Sequence, residues 1–405
     1  MGRIHYLDSN ATTPPDPRVR EAMAPYLAEQ FANPSAIYKF AQEARGDVEG
    51  AREKVARLIN ADPEEVFFTS GGTEADNTAL KGVVSALRHK GRHIITSQIE
   101  HHAVLHTCEY LEGIGCKVTY LPVDTYGIVD PADVARAIRK DTVLVTIMHG
   151  NNEIGTIEPI EEIAGIAHEH AIYFHTDAVQ TVGKIQVDVK AMDIDLLSLS
   201  GHKFYGPKGI GALYVRKGVQ IDPLLHGGHH ERNRRAGTEN VPGIIGLGKT
   251  AEIVLLEIAE NERKVRSLRD TLERGIVERI PEIIINGHPE KRLYNTLSVC
   301  LKGIEGESIL LNLDFEGICA SSGSACSSGS VDPSHVLLAT GISPEVAHGS
   351  LRLSLNKFNT EDDVDTVLRV LPMIAEKLRN MSPFWGANKD EKKKGNEAKR
   401  YIEGR

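Results

Sequence analysis

Val143-Leu144-Val145-Thr146-Ile147 is a nearly unbroken run of apolar and β-branched residues, the character of a strand covered on both faces. Working outward, Val66-Phe67-Phe68-Thr69, His93-Ile94-Ile95-Thr96, Val118-Thr119-Tyr120-Leu121 and Ile172-Tyr173-Phe174-His175 are short β-rich runs of the same kind, separated by helical patterns. Strands alternating with helices from about residue 65 to 215 predict a mostly parallel, doubly wound sheet. Ligands of such sheets bind beyond the carboxyl ends of the strands, so the residues just after each run are the functional candidates.

Farther along, residues 242 to 277 read as one long helical stretch. Thr296 to Leu301, Ser308 to Leu313 and Leu351 to Ser354 then suggest a smaller α/β unit closing in a helix near 360–380, with a boundary near residue 260. The last twenty residues, 386–405, are polar and Lys-rich and read as a disordered tail. They end in Ile402-Glu403-Gly404-Arg405, which looks like a protease-recognition sequence of the kind added for expression.

The chain has 405 residues, 47 basic and 56 acidic side chains and a net charge of −9. That balance argues against nucleic acid as the main partner. No apolar run approaches the ~18 residues of a spanning helix, and Met1-Gly2-Arg3-Ile4-His5 lacks the apolar core of a signal peptide, which predicts a cytoplasmic protein without membrane contact. Five irregularly spaced cysteines, Cys108, Cys116, Cys300, Cys319 and Cys326, offer neither a disulfide framework nor a C-x-x-C zinc site. The question they raise is whether one is a reactive thiol.

Gly243-Ile244-Ile245-Gly246-Leu247-Gly248-Lys249-Thr250 satisfies the pattern of a phosphate-cradling loop. That loop requires a buried strand in front of it, and His229 to Asn240 are polar and charged. The better reading places Pro242 in the first turn of a helix whose small residues allow close packing.

Three other segments carry chemistry. Ser200-Gly201-His202-Lys203 follows the apolar run Leu196 to Leu199; a lysine at a strand end is well placed to form a Schiff base, although a solvated loop lysine is its commoner fate. His175-Thr176-Asp177 puts a carboxylate at the end of another strand, where it could hold a pyridine nitrogen protonated or merely cap a helix. Ser70-Gly71-Gly72-Thr73-Glu74 follows Val66 to Thr69 and opens a helix, a place for a phosphate or an ordinary turn.

Phosphate loop, ring-nitrogen acid and Schiff-base lysine, in that order at strand ends, resemble the cysteine desulfurases of the aminotransferase class V group, and most of all the nitrogen-fixation type. The resemblance runs from Tyr6 to about Trp385 through Leu7 to Thr13, Thr69 to Asn77, Glu100-His101, Asn151 to Thr156, Arg234 to Asn240 and Ser321 to Gly329. It implies fold type I of the pyridoxal-phosphate enzymes: a large domain with a mostly parallel seven-stranded sheet and a smaller C-terminal α/β domain. The implied division is an N-terminal segment 1–14 associated with the small domain, a large domain 15–260, and a small domain 261–385 carrying a mobile catalytic loop at about 321–335.

The resemblance further implies pyridoxal 5'-phosphate as cofactor. On that resemblance Lys203 would hold it, Asp177 would pair with its ring nitrogen, Gln180 would bond its ring hydroxyl, and His101 would stack on the ring and assist proton transfer. Gly72, Thr73, Ser200 and His202 would take the phosphate, joined by Thr238 from the other subunit of an expected homodimer. Asn152 and Arg352 would hold the substrate carboxylate, Arg352 through a bidentate guanidinium.

Cys326, inside a run of small residues that can carry a thiol between two locations, is the implied nucleophile, whereas Cys108 and Cys300 read as packed apolar residues. The expected reaction converts L-cysteine to L-alanine, leaves a persulfide on Cys326 and supplies sulfur to an iron–sulfur scaffold protein or another acceptor. No resident metal is expected, Cys326 being at most a transient cluster ligand; His226, His229 and His230 lack regular ligand spacing. Selenocysteine lyase, an aminotransferase, and a docking platform with little desulfurase activity are the alternatives.

Overall fold

A computed structural model describes residues 3–322, 332–382 and 385. Its strands are β1 (His5–Tyr6), β2 (Val66–Thr69), β3 (His93–Ser97), β4 (Lys117–Leu121), β5 (Thr142–Thr146), β6 (Tyr173–Asp177), β7 (Leu196–Ser200), β8 (Gly211–Val215), β9 (Ile283–Asn286), β10 (Thr296–Leu301), β11 (Ile318–Cys319) and β12 (Ser350–Ser354). Seven of them form one sheet in the order β2-β8-β7-β6-β5-β3-β4. Only β8 is antiparallel to its neighbours; the remaining pairs are parallel. The mostly parallel seven-stranded sheet expected from the sequence is therefore present.

Every residue of β3, β5, β7 and β8 is buried, because helices cover both faces. One face packs Phe174, Leu197 and Leu199 against Val48, Val55 and Ile244. The other packs Ile94 and Leu144 against Leu80, Val83 and Val104. β8 lies outside the runs picked from sequence; its five residues Gly211-Ala212-Leu213-Tyr214-Val215 follow a glycine-rich stretch that obscures where a strand begins.

The long helix is Val241–Arg279. Ile244, Leu247, Ala251 and Val254 belong to the core of the large sheet, whereas Val265, Leu268, Leu272 and Ile276 belong to a second core with Val299, Leu353, Val367 and Leu371. The core thus changes near residue 260 inside an unbroken helix, with no linker. Gly243 to Thr250 lie in this helix. A Cβ on Gly246 would stand 2.7 Å from the Met23 sulfur, and one on Gly248 2.6 Å from the Ala51 Cα, so the small residues of the rejected phosphate-loop pattern serve close packing.

The second core lies on a three-stranded antiparallel sheet, β12-β10-β9. Ser308 to Leu313 are part of a helix, Gly306–Phe315, and the closing helix is Glu361–Met381. The N-terminal segment joins this unit: β1 pairs with β11, and Asp8 bridges Ser354. From there it runs along the carboxyl ends of the large sheet's strands, where the Thr13 N–H and hydroxyl both donate to the His202 carbonyl.

Candidate active site

β7 ends in Ser200, and the tight turn Gly201–Lys203 follows. The Lys203 side-chain nitrogen donates to the carbonyls of Asn10 (2.5 Å) and Ala11 (2.9 Å), so the N-terminal segment holds it just beyond the carboxyl end of β7. β6 ends in Asp177, whose Oδ1 accepts from the Val179 N–H at 2.9 Å. Asp177 is buried and forms no ion pair among the described residues. Burial pushes its carboxyl up to about 6, with Lys203 pulling the other way. A buried carboxylate in no ion pair among the described residues, with Lys203 near enough only to be felt through its charge, is prepared for a cationic partner from outside the chain.

β2 leads through Ser70 and Gly71 into the helix Gly72–Ala86, whose N-terminus has no side-chain cap. Its orphan N–H groups and dipole favour an anion there. At Gly72 the turn is packed too tightly for a side chain. A Cβ on Gly72 would come 2.6 Å from Val179 Cγ2 and 3.6 Å from the Ser200 Cβ, and one on Gly71 would come 3.8 Å from Ser200 Oγ. Gly72, Ser200 and the turn after Asp177 are therefore neighbours. Thr73 is exposed in the first turn of the same helix. His202 Nδ1 lies 3.1 Å from the Thr12 hydroxyl, and burial holds its pKa down at about 4.

β3 leads to Glu100 and His101. His101 caps the helix His102–Gly113, its Nδ1 accepting from the Ala103 N–H at 3.1 Å. The neutral ring therefore carries its hydrogen on Nε2. Burial, then Lys203, hold its pKa down at about 4. Glu100 accepts from the Ser97 hydroxyl (2.7 Å) and the Met148 N–H (2.9 Å), while burial raises its carboxyl to about 8. Behind β6 lies a layer to which the sequence pattern assigns no role. His175 joins the hydroxyls of Thr146 (2.8 Å) and Ser198 (3.0 Å), and its Nε2 is 3.7 Å from Asp76, whose carboxyl burial pushes well up.

Arg352 on β12 reaches across from the smaller unit. Its Nη1 donates to the Asn152 carbonyl (3.0 Å) and Nη2 to Asp8 Oδ1 (2.9 Å), while Nε is buried without a partner. An orphan donor on a buried guanidinium suits an incoming carboxylate. The backbone of Arg352 also pairs with Ser321, just before residues 323–331. On the far side of that segment, the Ser334 hydroxyl donates to Glu153, and His335 Nε2 lies 3.0 Å from the Glu100 carbonyl.

The structure thus gathers Lys203, Asp177, Gln180, His101, Gly72, Thr73, Ser200, His202, Asn152 and Arg352 beyond the carboxyl ends of the large sheet's strands. Thr238 stands apart, exposed in the segment 226–240 and without a hydrogen bond to the others. Cys326 lies outside the described residues. Cys108 is packed in apolar surroundings, and Cys300 is buried with its sulfur accepting from the Asn286 amide at 3.3 Å, burial raising its pKa to about 11. Burial also raises Cys116 and Cys319. His229 joins Asn233 at 2.5 Å, and His230 accepts from the Gly237 N–H. Among the described residues no cluster of three or more His, Cys, Asp or Glu side chains is arranged for a cation.

A family model, Aminotransferase class-V, matches residues 5–367, and the chain belongs to that family. Within it, a cysteine desulfurase IscS of Methanosarcina thermophila is 59% identical over 379 residues, 94% of each chain. Another, of Dictyoglomus turgidum, is 55% identical over 392 residues, 96% of this chain and 100% of that one. The solved structure of a NifS-like protein matches with a TM-score of 0.88 at 41% identity, over 93% of this chain and 100% of that one. The chain's place in the family is thus among the cysteine desulfurases, and its fold is that of the fold type I pyridoxal-phosphate enzymes.

Pyridoxal phosphate fits the residues present. The uncapped helix with its glycine cradle suits the phosphate, the unpaired Asp177 suits a protonated ring nitrogen, and Lys203 suits the aldehyde carbon.

Proposed function

We propose that this chain is a homodimeric, cytoplasmic, pyridoxal-phosphate-dependent cysteine desulfurase. It converts L-cysteine to L-alanine, collects the sulfur as a persulfide on Cys326 and supplies it for iron–sulfur cluster assembly. The observation that carries the proposal is the meeting of Lys203 with the buried, unpaired Asp177 at the ends of neighbouring strands. When bound, the cofactor supplies an electron sink for the α-carbon of the substrate.

The chain's own residues do the rest. Gly72, Thr73, Ser200 and His202 bind the phosphate, with Thr238 reaching across from the other subunit. Asp177 keeps the ring nitrogen protonated, and Gln180 donates to the ring hydroxyl. His101, neutral and with Nε2–H outward from its cap, stacks on the ring and hands protons on. Arg352 and Asn152 orient the substrate carboxylate, Lys203 takes the α-proton as general base, and the Cys326 thiolate takes the substrate sulfur. The persulfide then passes by thiol exchange to a scaffold protein or other acceptor.

A homodimer is supported by apolar side chains left in water on one stretch of the chain: Leu27, Phe31, Ile37 and Tyr38, with Ile37 95% exposed. The division into units 15–260 and 261–385, with segment 1–14 on the smaller, is supported by the change of core inside Val241–Arg279 and the β1–β11 pair. No helix of the described residues is long and apolar enough to cross a membrane.

The test is the absorbance spectrum of the purified protein, followed by L-cysteine addition with alanine and protein-bound persulfide measured. A visible cofactor band lost in Lys203→Ala, and alanine and persulfide that both need Cys326, are expected. No band after added pyridoxal phosphate would overturn the proposal.

A further inference from the structure

Lys184 is 6% exposed and in no ion pair with a carboxylate among the described residues. Burying such a cation is costly, and a hydrophobic side chain of similar volume would be cheaper. The groups that face it are themselves basic: Lys203 and Arg352 add to burial in pushing its pKa well below the usual lysine range, and His202 feels its charge in turn. A stabilising role does not account for this placement.

Its hydrogen bonds do. The Lys184 Nζ donates to the Gln180 main-chain carbonyl at 3.0 Å and to Gln180 Oε1 at 2.7 Å. The turn that brings it back onto Gln180 passes through Gly183 at φ +80°, where a Cβ would stand 2.5 Å from the Phe204 Cβ. Lysine has donors to spare in either protonation state, so the carbonyl end of the Gln180 amide is committed to it. The nitrogen end is then the end that meets Asn10, whose carbonyl accepts from Nε2 at 2.9 Å and from the Lys203 Nζ at 2.5 Å. Asn10 cannot turn away to relax this, because its side chain is held by Asn295 (3.0 Å), the Asn152 carbonyl (3.0 Å) and Thr296 (2.9 Å). One amide hydrogen of Gln180 goes to Asn10, which leaves the second for another acceptor.

We infer that Lys184 is a positioning residue that fixes the orientation of the Gln180 amide, so that Gln180 offers the cofactor's ring oxygen a donor and never an acceptor. The inference rests on the cofactor reading above and deepens it. Without Lys184 only the Asn10 carbonyl opposes a flip of the amide, and a flipped amide presents Oε1 to the ring oxygen, an acceptor facing an acceptor. A donor at that oxygen stabilises its anion and lowers the pH at which the proton it shares with the Lys203 nitrogen is released.

The test uses the holoenzyme and the variants Lys184→Met, Gln180→Ala and the double variant. Two quantities are read: the pH midpoint of the bound cofactor's visible absorbance change, and the dissociation constant for pyridoxal phosphate added to the cofactor-free chain. Lys184→Met is expected to move the midpoint up by about one unit and to weaken cofactor binding about tenfold, one unit being a factor of ten. In the Gln180→Ala background it is expected to move neither further. An unchanged midpoint in Lys184→Met overturns the inference. So does an equal shift in both backgrounds, which would mean that Lys184 acts by its charge alone. Should Lys184→Met lose its melting transition, Lys184→Leu, which likewise offers Gln180 no donor, is read in the same way, and equality with wild type again overturns the inference. A wild-type chain with no visible band after added pyridoxal phosphate would overturn the cofactor reading itself, a separate result.

Discussion

Asp177→Asn tests whether this carboxylate is kept buried at the expense of the stability of the cofactor-free chain. Burial raises its pKa from 3.8 to about 6 in the folded chain, so the folded state favours the protonated form. A raised carboxyl costs nothing below its unfolded pKa; the penalty grows as pH rises toward the folded pKa and is complete above it. At pH 8, above both values, a carboxyl raised by about two pH units costs about 3 kcal/mol. Asparagine keeps the bond from the Val179 N–H at 2.9 Å and leaves an amide to satisfy, at about 1 kcal/mol. The net gain of about 2 kcal/mol raises the melting temperature of a 405-residue chain by about 2 °C. At pH 5 about half of the penalty is gone, and the two melting temperatures should agree within about 1 °C. The assay is a thermal melt of the cofactor-free proteins at both pH values, repeated with pyridoxal phosphate. Added cofactor should reverse the order, raising wild type well above the variant. A variant melting at or below wild type at pH 8 without cofactor would refute the argument that Asp177 is an unpaired buried charge.

Arg352→Lys keeps the charge and loses the fork that carries the orphan Nε, so the KM for L-cysteine should rise about 10- to 100-fold with a smaller change in kcat; steady-state alanine production measures both. His101, held neutral by burial and Lys203 with a pKa of about 4, should show flat imidazole carbon shifts by NMR from pH 6 to 9, and a midpoint near the ordinary histidine value would contradict its burial. Glu231 accepts two bonds from Arg52 (2.7 and 3.0 Å) and one from the Phe68 N–H (2.9 Å), at the head of three successive left-handed residues, Glu231, Arg232 and Asn233. Glu231→Gln should cost about 3 kcal/mol by leaving Arg52 underpaired and lower the melting temperature by about 3 to 4 °C.

Where the signal was local, the sequence was legible. The apolar run from Val143 meets β5, Thr142–Thr146, within a residue, and the long helical stretch 242–277 is the helix Val241–Arg279. Lys203, Asp177 and Gly72 fall at or just beyond strand ends because each follows an apolar run whose length fixes where the strand stops. β8, antiparallel between β2 and β7, carried no such local mark. Asn10, Glu100 and Lys184 stood in or beside quoted motifs without a role, since their meaning lies in partners far along the chain.

By itself the sequence determined the alternation of strands and helices, hence a parallel sheet, and the side-chain types at its strand ends. It did so because hydrophobic period and turn chemistry are properties of neighbouring residues. Only the tertiary structure decided that Asn10 lies under Lys203, 193 residues away, that Arg352 meets Asn152, 200 residues away, and that the Gln180 amide lies between Lys184 and Asn10, accepting from the one and donating to the other. Those distances, and the altered acidities that come with burial, depend on strand order and on which groups lose water together, neither of which is encoded in any local stretch.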